Sequence, residues 1–194
     1  MGSRIMHYAI ATIINNNYQL GNDFLIGSIV PDSNKNSNTP KELTHFMKKR
    51  PDGEHDMFPE KFLEEYQDNL DPFKQGYYLH LISDDIWLKT IFKDYILEHN
   101  HYDKSTALQL LYADYHYFNQ VLIKKYQLSQ LTIGNFTTSG VKEIADEDVP
   151  EIINDLNADF QDYSDKKSPG LLSLDCIDEY INECVEQFEK MQHS

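Results

Sequence analysis

The stretch that decides the fold reads Gly76-Tyr77-Tyr78-Leu79-His80-Leu81-Ile82-Ser83-Asp84-Asp85-Ile86-Trp87-Leu88. Apolar residues recur in it, and just beyond it, at the three- and four-residue spacing of one helix face: Tyr77, Leu81, Leu88, Ile91 and Tyr95. Asp84 falls inside this stripe, which contains no Lys or Arg. An uncompensated buried carboxylate is costly, and the usual remedies are a basic partner, a raised pKa or a metal ion. We therefore expect a long buried helix that carries a carboxylate in need of a partner.

Helical periodicity dominates the rest of the chain, and the alternation typical of β-strands is almost absent. Helices are predicted at about residues 3–15, 60–69, 72–98, 105–126 and 171–191, with a further helix starting near residue 149. Residues 127–140 fit either a loop or a short pair of strands. The expected architecture is a single all-α domain over residues 1–194, a multi-helix bundle with a long irregular region between Gly21 and Pro59.

Charge and composition narrow the function classes. The 194 residues include 17 basic and 32 acidic side chains, and the net charge of −15 disfavours duplex nucleic acid as a partner. No run approaches the roughly 20 apolar residues that cross a bilayer, so no transmembrane segment is expected. The first residues lack the pattern of a signal peptide, which predicts a cytoplasmic protein. Cys176 and Cys184 are eight residues apart on a predicted helix, a rise of about 12 Å, so we expect reduced thiols.

Several metal-ligand residue types accompany the decisive stretch. His80 lies four residues before Asp84 and therefore projects from the same helix face, where both could bind one ion. His7 lies on the apolar side of the first helix, Asp32 ends an apolar segment, and His45 stands in the irregular region. Imidazole nitrogens and carboxylate oxygens suit zinc, and this set suffices for two ions that share one carboxylate. Two structural alternatives stay open: His80 and Asp84 hydrogen-bonded to each other, and a His7 that is simply a satisfied core residue.

The order of these five residues resembles the metal-ligand order of the zinc-dependent phospholipase C superfamily, which also includes the secreted single-strand nucleases. In that family a histidine near the N-terminus is followed by an Asp, a His and then a His-x-x-x-Asp pair on a helix. The segments Asp23–Asp32, Thr44–Phe46 and Gly76–His80 with Asp84 carry the likeness, which covers about the first half of the chain. The family fold is all-α, which agrees with the periodicity.

The resemblance implies a zinc-dependent phosphoric ester hydrolase of phospholipase C or phosphodiesterase type. Asp32, His45, His80 and Asp84 would hold one zinc, and Asp84 would bridge to a second zinc held by His7; other divalent metals are possible. Relatives complete the second site with the amine and carbonyl of their N-terminal residue, a role that would fall to Met1, or to Gly2 after removal of the initiator methionine. Asp32 would be either a ligand or the catalytic base that orients the attacking water. The expected substrate is a small phosphoester or a lipid headgroup.

Other candidate residues are less well matched to the family pattern. Relatives with three metals have a later His-x-x-x-Glu pair that this chain lacks, so a third site would need Asp114 or His116. Asp85 is either an outer hydrogen-bond acceptor for a ligand imidazole or an exposed carboxylate. The residues define neither the substrate contacts nor the oligomeric state.

Two other classes of protein remain as alternatives. The adjacent pair His55-Asp56 is typical of a different type of metal-dependent phosphohydrolase with a helical scaffold. A non-catalytic helical binding protein with a structural polar core is the second alternative.

Overall fold

The computed structural model describes residues 1–35, 39–98, 102–161, 167, 168 and 170–192, apart from the side chains of residues 94, 95, 97 and 98. It is mostly helical, which confirms the all-α class. The helices are α1 (Arg4–Tyr18), α2 (Asn22–Gly27), α3 (Lys41–Thr44), α4 (Pro59–Tyr66), α5 (Pro72–Ile86), α6 (Lys104–Lys125), α7 (Val149–Ala158) and α8 (Leu174–Gln192). Short 3-10 helices span Val30–Lys35, Gln67–Asn69 and Asp146–Asp148, and α5 continues as a π-helix over Trp87–Glu98.

The expectation of a long irregular region between Gly21 and Pro59 is wrong. Within this part of the chain lie α2, the first 3-10 helix, α3 and a β-hairpin of β1 (Met47–Lys49) and β2 (His55–Met57), which pair antiparallel. The two strands are short and mostly exposed, so their residues show no alternation of apolar and polar positions. Residues 127–140, which fitted a loop or two strands, contain neither helix nor strand.

Two glycines bring α2 and α5 into backbone contact. A Cβ atom on Gly27 would lie 2.0 Å from the carbonyl oxygen of Phe73, and one on Gly76 would lie 2.1 Å from the carbonyl oxygen of Phe24. Any side chain at either position would therefore push the two helices apart. This crossing holds the end of α2, including Ser28, against the middle of α5.

Aromatic contacts fix the remaining elements around α5. Tyr77 stacks on Phe62 of α4, with ring centroids 4.7 Å apart, and its hydroxyl donates a hydrogen bond to the Thr44 carbonyl at the end of α3. Trp87 packs edge-to-face on Tyr180 of α8 at 4.9 Å. These contacts seat α3, α4 and α8 on the helix that carries the decisive stretch. The side chain of Tyr95, the last residue of the predicted stripe, lies outside the described residues.

Two further expectations can be compared with the structure. Cys176 and Cys184 are free thiols buried on α8, as predicted. Among the described residues, no helix is long and apolar enough to cross a membrane.

Candidate metal centre

The five predicted ligands come together in the core. His7 is on α1, Asp32 on the first 3-10 helix, His45 directly after α3, and His80 and Asp84 on α5. All five are buried, and Asp32 is the most exposed at 5%. Ligand atoms of His7, His80 and Asp84 lie within 4.8 Å of one another, as do those of Asp32, His45 and His80. Residues far apart in sequence therefore present nitrogen and oxygen donors to one small volume.

Hydrogen bonds fix the orientation of two of the imidazoles. Nδ1 of His80 donates to the Ser28 carbonyl at 2.8 Å. The Thr44 hydroxyl donates to the Lys41 carbonyl and lies 2.8 Å from Nδ1 of His45, so it accepts from that nitrogen. In the neutral rings both Nε2 atoms are then unprotonated, yet they face each other at 3.4 Å. Two lone pairs at this distance need a proton or a cation between them.

The carboxylates complete a set of donors at the spacing that a metal ion requires. Nε2 of His45 lies 3.6 Å from Oδ1 of Asp32 and 3.7 Å from Oδ2 of Asp84, and Nε2 of His80 lies 3.5 Å from the same Asp84 oxygen. Tetrahedral zinc with bonds of about 2.0–2.1 Å separates its ligand atoms by about 3.3–3.4 Å. Each of these three distances is close to that spacing, and Asp32, His45 and His80 form one converging group that could hold a zinc ion, with Asp84 beside it.

The other oxygen of Asp84 faces a second group of donors. Oδ1 lies 3.1 Å from Nε2 of His7, but the two are not aligned for a hydrogen bond, and both His7 ring nitrogens are buried without a hydrogen-bond partner in the described structure. Oδ2 of Asp84 is also buried without a hydrogen-bond partner in the described structure. Unpaired buried polar atoms are costly and rare in folded proteins. A second cation between His7 and Asp84 would satisfy them.

Burial and nearby charges have opposing effects on the pKa values of the cluster residues. Burial lowers the pKa of His45 to about 4 and also lowers that of His7. Burial alone would raise the pKa of Asp84, but the adjacent imidazoles of His7 and His80 hold it well below its ordinary value. The pKa of His80 is raised, because the nearby carboxylates of Asp84 and Asp32 outweigh the effect of burial. Two ionised carboxylates thus share a buried site in which a proton and a metal ion compete for the same nitrogens.

The main chain of Met1 and Gly2 also lies near the cluster. Its carbonyl accepts a hydrogen bond from the Tyr115 hydroxyl, and the backbone N–H of Gly2 donates to Oδ1 of Asp84 at 3.2 Å. The main chain of residues 1 and 2 is therefore held next to the second group of donors.

The additional candidates have different surroundings. Asp85 pairs with Lys89 on the same helix. Asp114 is fully buried and accepts hydrogen bonds from the Ser168 hydroxyl and from the backbone of Gly170 and Leu172. Its carboxylate therefore holds the segment before α8 and is not a free ligand.

His116 and the alternative pair also lie outside the converging donors. His116 is exposed. His55 faces Glu42, and the carboxylate of Asp56 pairs with Arg50. None of these three residues belongs to a group of converging donors in the described part of the chain. As neighbours on β2, His55 and Asp56 point to opposite faces, which does not favour a shared ion.

Two cavities open beside the cluster. A polar one of about 200 Å³ is lined by Asp32, Lys35, Lys41 and His116, among others. A more apolar one of about 190 Å³ is lined by Leu88, Phe92 and Leu108, with His55 and the paired Glu54 and Lys104 also at its wall. Both are bordered by Met1, Lys41, Tyr112 and Tyr115.

Sequence reasoning did not identify Lys35 and Lys41 as site residues. Each is a single lysine in a polar stretch, and no spacing rule connects it to the ligands. The one available signal was the position of Lys41 four residues before His45. Of the aromatic residues, Tyr115 is buried while Tyr112 is 61% exposed at the cavity rim.

Comparison with known proteins gave no match: no family model, no curated protein and no solved structure is similar to this chain at the level tested.

Proposed function

We propose that this protein is a metal-dependent hydrolase, with zinc as the best-fitting metal, that cleaves phosphoesters or phosphodiesters. The observation that carries the proposal is the pair of Nε2 atoms of His45 and His80, which face each other and two buried carboxylates at ligand spacing. Asp84 offers one oxygen to this pair and the other to His7, so two ions sharing Asp84 fit the donor set. The likeness of the ligand order to zinc-dependent phospholipase C supports the same activity.

A divalent ion in this centre would supply Lewis acidity toward a phosphoryl oxygen and would make water acidic enough to attack at neutral pH. The residues of the protein would position the attacking water. Asp32 lines the polar cavity and is held ionised, because the adjacent His45 imidazole and the charge of Lys35 outweigh the effect of burial on its pKa. Its carboxylate can accept a hydrogen bond from the attacking water and orient it.

Metal content per chain tests the proposal. Wild-type protein is loaded with zinc, desalted and measured by elemental mass spectrometry beside Asp84→Asn and Asp114→Asn. Both substitutions replace a buried helical carboxylate by its amide, but only Asp84 faces the donor cluster. We expect near two zinc ions in the wild type, a sharp loss in Asp84→Asn and an unchanged content in Asp114→Asn.

A phosphoester screen of the zinc-loaded protein then tests turnover. Absence of bound zinc in the wild type, or equal content in Asp84→Asn, would overturn the metal centre and leave a helical protein with a polar core. Zinc binding without turnover of any phosphomonoester or phosphodiester would overturn the hydrolase function alone.

A further inference from the structure

Lys41 stands where the polar and apolar cavities meet. Its side chain is half-buried and lines both of them, together with Met1, Tyr112 and Tyr115. Within the described residues it forms no ion pair, and neither does Lys35 on the polar side. Arg4, the other cation of the polar cavity, is paired with Asp155 and Asp159. A protein of net charge −15 thus keeps two cations without an ion pair in the described residues at the opening of its carboxylate cluster.

The backbone of Lys41 is tied to the metal centre. Lys41 begins α3, and its carbonyl accepts hydrogen bonds from the backbone N–H of His45 at 2.9 Å and from the Thr44 hydroxyl at 3.3 Å. The same hydroxyl orients the His45 ring. One short turn therefore fixes the position of the lysine relative to a proposed ligand.

We infer that Lys41 binds the phosphoryl oxygens of the substrate and directs the organic group of the ester into the apolar cavity. This inference rests on the proposed function and adds the substrate class to it. An ammonium group is a good partner for phosphate, because each charge-assisted hydrogen bond is stronger than a neutral one. On one side of Lys41 lies Asp32 with the donor cluster, and on the other lie Leu88, Phe92 and Leu108.

The size of the apolar cavity limits the organic group. Its volume is about 190 Å³, and an apolar protein cavity of roughly 150 Å³ holds benzene. One aromatic ring or a short alkyl group therefore fits. The preferred substrate is a phosphoester of an aromatic or short-chain alcohol.

The role of Lys41 is tested with inorganic phosphate as the probe. Binding to the zinc-loaded protein is measured by titration calorimetry for wild type, Lys41→Met, Lys41→Arg and Lys48→Met, with zinc content measured on each sample. Lys48 is an exposed lysine on β1 and lines neither of the two cavities, so its variant controls for the loss of one positive charge. We expect unchanged zinc content throughout and a loss of phosphate affinity of about tenfold or more in Lys41→Met alone.

The outcomes separate the two proposals. Zinc bound as in the wild type with phosphate affinity within twofold in Lys41→Met would overturn the role of Lys41 and leave the metal centre standing. Absence of zinc in the wild type would overturn the proposed function. Zinc-loaded wild type that binds no phosphate would overturn both the substrate assignment and the role of Lys41.

The apolar cavity is tested with three phosphonates that cannot be hydrolysed as esters. Methylphosphonate, butylphosphonate and phenylphosphonate carry the same anionic group, and the last two distinguish an alkyl from an aromatic substrate. We expect the better of the two to bind about tenfold more tightly than methylphosphonate, because its organic group is buried. The advantage should shrink in Leu108→Ser and persist in Leu110→Ser, a partly buried α6 residue outside the cavity lining. Equal affinity of the wild type for all three would overturn the assignment of the apolar cavity.

Discussion

Replacing Gly76 by alanine should damage both the fold and the metal centre. The added Cβ would lie 2.1 Å from the Phe24 carbonyl oxygen and 2.9 Å from the Ser28 nitrogen, whereas ordinary contacts begin near 3.4 Å. Because both neighbours are backbone atoms, α2 has to move by more than an ångström. Overpacking of this kind typically costs up to about 3 kcal/mol, and we use this upper value because backbone has to move.

The net effect on stability follows from two opposing contributions. Alanine is favoured over glycine inside a helix by about 1 kcal/mol, which leaves a net loss of about 2 kcal/mol. In a chain of this length, 1 kcal/mol corresponds to about 2–4 °C in Tm. Thermal unfolding of Gly76→Ala, followed by circular dichroism, should therefore show a Tm lower by about 4–8 °C.

The same displacement should weaken zinc binding. Movement of α2 carries the Ser28 carbonyl away from Nδ1 of His80, and loss of such an outer hydrogen bond typically lowers metal affinity about 10–100-fold. Competition with a chromogenic chelator measures this affinity. Gly53→Ala is the control: its Cβ meets nothing within 4 Å, so only the positive φ of +87° costs stability and zinc affinity should not change. A Tm of Gly76→Ala within 2 °C of the wild type, together with unchanged zinc affinity, would refute the reasoning.

Three further predictions concern the polar groups of the fold and the metal. Asp71→Ala removes both the N-cap of α5 and the ion-pair partner of the buried Lys74, so it should lower the free energy of unfolding by about 3 kcal/mol or more. Asp103→Ala removes only the more exposed N-cap of α6 and should cost about 1 kcal/mol; chemical denaturation measures both. His45→Ala should lose zinc by elemental analysis while His55→Ala keeps it, and the reverse result would favour the His-Asp type of phosphohydrolase. Chelation should lower the Tm of the wild type by several degrees and added zinc should restore it, since a ligand at a thousand times its Kd contributes about 4 kcal/mol; an unchanged Tm would speak against bound metal.

The parts of the site that could be predicted are those governed by helical spacing. His80 and Asp84 lie on one helix, so their four-residue separation placed them on one buried face before any tertiary structure was known. Asp32 and His45 follow no such rule, because Asp32 lies on a short 3-10 helix and His45 directly follows the one-turn helix α3. They were candidates by residue type and position in the chain, and the ordered motif, not periodicity, joined them to the other ligands.

What could not be predicted depends on contacts between distant segments. The approach of Gly27 to α5 is invisible in a pattern that records only apolar and polar residues. Asp114 was a candidate ligand because a buried helical carboxylate looks the same in sequence whether it faces a metal or the backbone of residues 170–172. The continuation of α5 was predicted as helix, but its π-helical hydrogen bonding could not be predicted from the spacing of apolar residues.

One wall of the apolar cavity comes from a part of the chain that contributes none of the five converging donors. Those donors lie between residues 7 and 84, whereas Leu108, Leu111, Tyr112 and Tyr115 of α6 form one wall of the cavity. This wall is therefore encoded in a stretch of sequence separate from the donors. A library of variants confined to the cavity-facing positions of α6 should yield proteins that accept different organic groups while retaining the metal affinity of the parent.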